Sequence, residues 1–416
     1  MSHPDSGVDA VVTGDEITVF QAKSWHPTAD DPGPSGWKPG MSFVVLYTEG
    51  QSETTWLSQL ADVPTPPQVA SVDRERLLVL CAVHHGEYGR IDGNLLARTA
   101  QTPDALDRWY AGEVPEQSPK ATKARRVLEW ALNDPAACQR AQDFVGEQLD
   151  AAAAVDAELT TVLDDDYPAN LRMVPDAPPF LFHRGALQPA DARSIAVVGT
   201  RRATQDGLAR AKRMARGLSD DGVVVVSGLA RGIDTAAHTA TIERGHRTVA
   251  VIGTGIAARI YPPENAALAE RIVSGGGAVI SQFWPTDPPD RWRFPARNIT
   301  MSGFTQGTVV VEASETSGAK MQAQAARRHA KTVFLLRSLA AAQPWARAMV
   351  DEARAQMQQP EQLELGTEPV DERRLPLAVV EVSDVDDVLD RVAAADAVRA
   401  AAGLRHELAH AWPALR

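Results

Sequence analysis

Cysteine is nearly missing from this chain: Cys81 and Cys138 are the two thiols in 416 residues. That number cannot build a disulfide framework, and each reads as a filler of a helix face in a reducing compartment. No apolar run comes near the roughly 20 residues that a spanning helix needs. Runs such as Ile195–Val198 and Val223–Val226 are strand-sized, so no membrane anchor is expected. Residues Met1 to Glu16 carry acids and lack the basic start and apolar stretch of an export signal, which makes the cytoplasm the expected location. Histidines at metal-ligand spacing are also lacking. His84 and His85 are neighbours on a presumed helix and would point apart, while His238, His246 and His329 lack Cys or carboxylate partners at ligand spacing, so no metal is expected. The G-x-G-x-x-G spacing that lets a pyrophosphate approach backbone is absent, because Gly199 and Gly207 stand too far apart. A nicotinamide cofactor is thereby disfavoured, and no cofactor is expected. Ser227 sits in a turn without a recognisable base, so no activated nucleophile is expected either.

What is present is a segregation of charge. The chain carries a formal net charge of −12, yet residues 191–339 hold about 20 Lys and Arg against about 12 Asp and Glu. A basic centre between acidic flanks is the arrangement expected of a phosphate-binding surface in an otherwise acidic, soluble protein.

The pattern along the chain divides it into four parts. Residues 1–71 contain the Gly/Pro/Asp-rich stretch Pro27 to Gly40, the apolar Phe43 to Tyr47, and the cluster Pro64, Pro66 and Pro67; they read as a loosely structured extension with a short hairpin and no assignable role. Residues 72–155 turn to helical spacing, with Leu77, Leu78, Leu80, Leu95, Leu96, Val127 and Leu128, and read as a small helical domain. Residues 156–340 form the most regular part. A strand at Leu159–Leu163 and a Pro-constrained lead-in to Phe180–Phe182 precede six β-rich runs: Ile195–Val198, Val223–Val226, Thr248–Ile252, Ala278–Ser281, Thr308–Val311 and Thr332–Leu336. Between them lie helix-period segments at Leu208–Leu218, Thr235–Arg244, Asn265–Val273 and Lys320–His329. Near-continuous apolar strands alternating with amphipathic helices predict a doubly wound, mostly parallel Rossmann-like α/β sheet that folds by itself. Residues 341–416 read as a short, acidic, mostly helical extension, with one strand-like run at Leu377–Val382 and a terminal helix over Val385–Ala401.

In such a sheet ligands bind beyond the carboxyl ends of the strands, so the residues after each strand are the candidates. After the first comes Gly199-Thr200-Arg201-Arg202, and after the second Ser227-Gly228-Leu229-Ala230-Arg231-Gly232. After the third, Gly253-Thr254-Gly255 gives a small-residue turn; after the fifth, Ser317-Gly318-Ala319-Lys320 opens a helix whose first N–H groups can face an anion. The long loop from Trp284 adds Arg291, Trp292, Arg293, Phe294, Arg297 and Asn298. Interleaved arginines and aromatics suit single strands, because rings stack on bases while guanidinium groups hold phosphates.

Taken in order, Val197-Val198-Gly199-Thr200-Arg201, Ser227-Gly228-Leu229-Ala230-Arg231-Gly232-Ile233-Asp234, Tyr261-Pro262-Pro263-Glu264-Asn265, Phe294-Pro295-Ala296-Arg297-Asn298 and Val310-Val311-Glu312-Ala313 resemble the DprA/Smf family of bacterial DNA-processing proteins. The likeness covers about residues 159–337, and the helical region at 73–150 is similar to the family's SAM-like domain. Ile299, Gln282 and Arg337-Ser338 stand where the family commonly has an arginine, an acid and Pro-Gly. The resemblance implies a non-enzymatic protein that protects single-stranded DNA, dimerises through the Rossmann-like domain, and loads a RecA-type recombinase in transformation or recombination. It implies that Arg201, Arg231 and Arg297 line a positive pocket, with the Phe294 ring near the bases. Two other readings stay open: a sensor of a nucleotide-derived small ligand in the same rim, and a nucleotide hydrolase of the LOG type using Glu312 as a base.

Overall fold

The computed structural model describes residues 7–13, 16–24, 42–47, 71–101, 104–357 and 379–396. The expectations for Pro27–Gly40 and for the cluster Pro64, Pro66 and Pro67 fall outside those residues. The chain separates into two compact units, one of 67–363 with 370–386, the other made of 1–66, 364–369 and 387–416. Strands of the second of these units are β1 (Gly7–Thr13), β2 (Glu16–Ser24) and β3 (Ser42–Tyr47), joined antiparallel in that order. The expected short hairpin is thus a three-stranded sheet, with Phe43–Tyr47 as its third strand.

The larger unit opens with α1 (Ser71–Ala82), a small antiparallel hairpin of β4 (His84–His85) and β5 (Gly89–Arg90), then α2 (Gly93–Thr99), α3 (Ala105–Tyr110), α4 (Pro119–Leu132) and α5 (Pro135–Ala153). His84 and His85 therefore lie on a hairpin rather than on a helix, because Gly86 and Gly89, the latter at φ +66°, turn the chain where a helix would have continued. The helices α4 and α5 start as their sequence dictates. Ser118 and Asp134 cap them by accepting from Ala121 N (3.1 Å) and Ala136 N (3.1 Å), and a proline follows each cap where its missing N–H costs nothing.

Next come β6 (Glu158–Thr161), α6 (Ala169–Arg172) and β7 (Phe180–Arg184), and then the regular alternation. It runs β8 (Ser194–Val198), α7 (Gln205–Asp220), β9 (Val224–Ser227), α8 (Ile233–Glu243), β10 (Thr248–Val251), α9 (Ala266–Ser274) and β11 (Ala278–Ser281). It continues through α10 (Arg293–Phe304), β12 (Gly307–Val310), α11 (Gly318–Arg328), β13 (Thr332–Leu336), α12 (Arg337–Ala342), α13 (Pro344–Met357) and β14 (Val379–Val382). The nine strands lie in the order β14-β13-β12-β8-β9-β10-β11-β7-β6. From β14 to β11 every neighbour is parallel, while β7 runs antiparallel to both β11 and β6. This is the Rossmann-like α/β sheet that alternation and apolar strands predict, each central strand lying within a residue or two of its expected place.

Two features go beyond the expectation. The strand-like run before Val382 pairs with β13 and extends the parallel sheet, so the segment after residue 340 contributes to it. The apolar core also crosses the expected boundary near residue 156: Leu77, Leu95 and Trp109 belong to the same buried cluster as Leu181, Phe182 and Trp284. Fully buried side chains of this size contribute about 1.5–3 kcal/mol each, so the helical region and the β6–β7 end of the sheet stabilise one another. No helix among the described residues is long and apolar enough to cross a membrane.

Candidate nucleic-acid interface

Strand order reverses at β8, which has β9 on one side and β12 on the other; beyond such a switch point the connecting loops splay and leave a crevice. Beside it, residues following three strands and the start of α10 border a small, partly open pocket lined by Arg201, Gly228, Ala230, Arg231, Tyr261, Pro262, Phe294 and Arg297. The structure therefore brings together five of the residues singled out from the sequence: Arg201, Gly228, Arg231, Phe294 and Arg297.

The loop after β9 is held rigidly. Asp234 at the start of α8 is buried and accepts from Gly228 N (3.1 Å) and Ala230 N (3.3 Å). Leu229, also buried, takes a left-handed φ of +58°, and its carbonyl accepts from Asn265 Nδ2 (2.7 Å). Gly232, at φ +76°, packs so close to the Thr200 carbonyl that no side chain would fit. These contacts aim the exposed Arg231 outward, where it meets Glu264 in an ion pair. That pair raises the Arg231 pKa and lowers that of Glu264 through their mutual hydrogen bond.

Arg297 plays a different part from the one its sequence motif implies. It lies on α10 with the other residues of the Phe294–Asn298 motif, whereas a loop is expected to carry them. Pro295 falls in the first helical turn, where a proline leaves no hydrogen bond unmade. The Arg297 side chain is 5% exposed, and Nη1 donates to Gly228 O (2.5 Å) and Val251 O (2.6 Å) while Nε donates to Asn298 Oδ1 (3.1 Å). Burial pushes its pKa down, opposed by Asp234 and reinforced by the positive charge of Arg201. Burial likewise raises the Asp234 pKa, with Arg297 pulling it back. The guanidinium forms the floor of the pocket and stitches β9, β10 and α10 together; its donors are largely committed to the protein.

Arg201 is the pocket cation left without a counter-charge among the described residues. It is exposed and has no carboxylate partner among the described residues, and its guanidinium lies 5.5 Å from the Phe294 ring centroid. The Tyr261 ring stands 5.5 Å from Phe294 at 49° and is 43% exposed. Gly253 makes room for this cluster, since a Cβ there would come within 2.7 Å of Phe294. Tyr261 is absent from the sequence-derived site although it falls in a quoted motif; a residue before a proline offers no signal of which way its ring faces.

Other expected site residues are placed elsewhere or serve the frame. Gly199 gives space to Ile233, and the Thr200 N–H donates to the Glu312 carbonyl (2.6 Å). Arg202 is exposed and unpaired among the described residues but does not line the pocket. Ser227 is fully buried, with Oγ donating to the Val197 carbonyl (2.6 Å). Gly255 packs against the carbonyls of Trp284 and Pro285. Arg293 folds back onto Asp287 (2.7 Å) and under Trp292 and Phe283. Ser317 caps α11 by accepting from Ala319 N (3.2 Å), the Gly318 carbonyl accepts from Asn298 Nδ2 (3.1 Å), and Lys320 pairs with Glu315. The Glu312 carboxylate is occupied as well, accepting from Thr204 N (3.2 Å) and Oγ1 (2.7 Å) at the start of α7.

Comparison with known proteins agrees with this fold. Residues 158–362 match the family described as DNA recombination-mediator protein A. The chain is 38% identical to the DNA processing protein DprA of Streptococcus pneumoniae over 176 residues, 42% of this chain and 61% of that protein. It is 37% identical to Protein Smf of Synechocystis over 177 residues, 42% of this chain and 44% of that one. The matched segment thus spans about half the length of these curated relatives. The crystal structure of DNA processing protein A from Streptococcus pneumoniae superposes with a TM-score of 0.50 at 25% identity, covering 78% of this chain and 98% of that one. Residues 158–362, with their parallel sheet and its arginine-lined pocket, belong to the DprA/Smf family of DNA-processing proteins.

Proposed function

We propose that the pocket beyond β8, β9 and β10 binds single-stranded DNA without acting on it chemically. The observation that carries this reading is Arg201: an exposed, unpaired guanidinium over the Phe294 ring, with Tyr261 alongside. Rings accept any base by stacking, and a neighbouring guanidinium holds the phosphate, which is how strands are bound with little sequence preference. A duplex presents no unstacked base to such rings, so single strands are preferred. The description of the matching family as a recombination mediator supports a role in which the bound strand is protected and passed to a RecA-type recombinase by a homodimer.

Titration of the full chain by fluorescence anisotropy with single-stranded DNA, duplex DNA and RNA oligomers, repeated over a series of salt concentrations, tests the proposal. Single-stranded DNA is expected to bind best, with log K falling by about 0.7 per contacted phosphate for each decade of salt. A flat salt response together with tight binding of a mononucleotide would instead favour a small-ligand sensor.

A further inference from the structure

A second ring-and-cation groove lies in the helical region, far along the chain from Arg201 and in none of its loops. The β4–β5 hairpin and the exposed side of α4 border a shallow, open groove lined by His85, Tyr88, Arg126, Glu129, Trp130, Asn133 and Asp134. Its rings are layered. The Tyr88 ring stacks on His85 at 4.8 Å and 22°, the Trp130 ring meets His85 edge-on at 4.9 Å, and the Arg126 guanidinium covers Tyr88 at 5.4 Å. The backbone fixes this arrangement, because His85 Nδ1 accepts from both Glu87 N (3.1 Å) and Tyr88 N (3.2 Å). Nδ1 is thereby the acceptor, and the ring's proton sits on Nε2 in the neutral form.

The charges around the rings are mixed: Arg126 and the nearby Lys123 stand against Glu129 and Asp134, and Asp134 is itself paired with Arg140 (3.3 Å). Lys123 and Arg126 are one helical turn apart on α4, exposed, and without a carboxylate partner among the described residues. The Lys123 ammonium stands near the hairpin, 3.9 Å from where a Cβ on Gly89 would lie. The neighbouring Lys120 pairs with Asp92 (2.9 Å), whereas Lys123 and Arg126 stay open to an anion. Glu129 on the rim gives the groove a hydrogen-bond acceptor for an amino group on a base edge.

We infer that this groove is a second contact for single-stranded nucleic acid, stacking an unpaired base against Trp130 while Lys123 and Arg126 hold its phosphates. The inference rests on the reading of the chain as a single-strand binder and adds a place through which a longer strand is gripped. Base stacking of this kind contributes about 1–3 kcal/mol per base, enough to matter beside the main pocket without replacing it.

Photocrosslinking tests the two sites separately. The full chain is irradiated with a single-stranded DNA oligomer of about 30 nucleotides carrying 5-iododeoxyuridine, long enough to visit both sites, and the crosslinked peptides are identified by mass spectrometry. Crosslinks are expected in the peptide bearing Tyr88 or Trp130 as well as in that bearing Tyr261 or Phe294. Lys123→Ala with Arg126→Ala, both exposed substitutions, should cut the former about tenfold and leave the latter, while Arg201→Ala should do the reverse. Crosslinks confined to Tyr261 and Phe294 would overturn the second site, as would an unchanged Tyr88/Trp130 yield in the Lys123/Arg126 variant. Crosslinks confined to Tyr88 and Trp130 would uphold it and overturn the main-pocket reading, and no crosslink at all would overturn both.

Discussion

The guanidinium of Arg297 occupies the space that a methyl group on Gly228 would need, with Nη1 2.5 Å from the Gly228 carbonyl oxygen. A glycine and an arginine 69 positions apart are thus one structural unit. Arg297→Ala would strand two buried carbonyls and leave the Asp234 carboxyl without its counter-charge. The expected result is a loss on the order of 3–5 kcal/mol in a denaturant titration. Gly228→Ala should destabilise as well, because the displaced guanidinium is itself buried. A stable Arg297→Ala protein that has merely lost DNA affinity would return Arg297 to the role of a direct ligand.

Arg201→Ala is expected to give the opposite pattern. The side chain is exposed and unpaired among the described residues, so stability should change by less than about 0.5 kcal/mol. Affinity for single-stranded DNA should fall about tenfold or more, corresponding to about 1.4 kcal/mol. Melting curves run beside anisotropy titrations distinguish the two arginines.

Glu264 restrains Arg231 in the DNA-free protein. Replacing it, Glu264→Gln, keeps the shape of the side chain and releases the cation. Single-stranded DNA should then bind more tightly, and the slope of log K against log salt should steepen by about 0.7, the value of one further phosphate contact. Weaker binding in this variant would mean that Glu264 positions Arg231 rather than competing for it.

His238 supplies a pH dependence. It is fully buried, its Nδ1 lies 2.8 Å from Thr248 Oγ1, and burial lowers its pKa to about 3. In the unfolded chain the imidazole titrates near 6.5, so between these values the unfolded state binds a proton that the folded state refuses. The neutral histidine's contribution is complete above pH 6.5 and is lost as pH falls, by up to about 1.4 kcal/mol per pH unit until the folded group also protonates. His238→Gln should flatten the acid limb of stability against pH; an unaltered acid limb in that variant would assign the sensitivity to other groups.

The shared core makes the folding boundaries testable. Phe144 on α5 packs edge-on against Trp284 at 5.1 Å, and Gln148 Oε1 accepts from Thr286 N (3.0 Å) and Oγ1 (2.9 Å). A fragment of residues 67–386 is expected to unfold in one cooperative transition. A fragment of residues 159–340 would expose the Trp284 face and the β13 edge, and should melt at lower temperature and bind a hydrophobic dye. Equal melting temperatures for the two would show that the helical region adds nothing to the sheet's stability.

Much of the fold was legible because its signals are local. Apolar strand runs, amphipathic periods and the glycines of tight turns depend on neighbours in sequence, and β8 through β13 stand close to where those signals put them. The pairing of β14 with β13 was not legible, since a short strand-like run reads alike as a sheet edge or as an isolated segment. The core crossing residue 156 escaped for the same reason: Leu77 and Trp284 show that they are apolar, not that they meet.

For the candidate site, the residue order by itself determined that arginines and small residues would follow successive strands of a parallel sheet, because topology places all those loops at one end. Only the tertiary structure decided which arginine does what. Arg201, Arg231, Arg293 and Arg297 are chemically identical in sequence, yet one is exposed and unpaired, one is paired with Glu264, one folds onto Asp287, and one is buried among carbonyls. The difference lies in burial and partners, which are properties of three-dimensional neighbours from distant stretches of chain, and it is those neighbours that leave Arg201 open to an incoming phosphate.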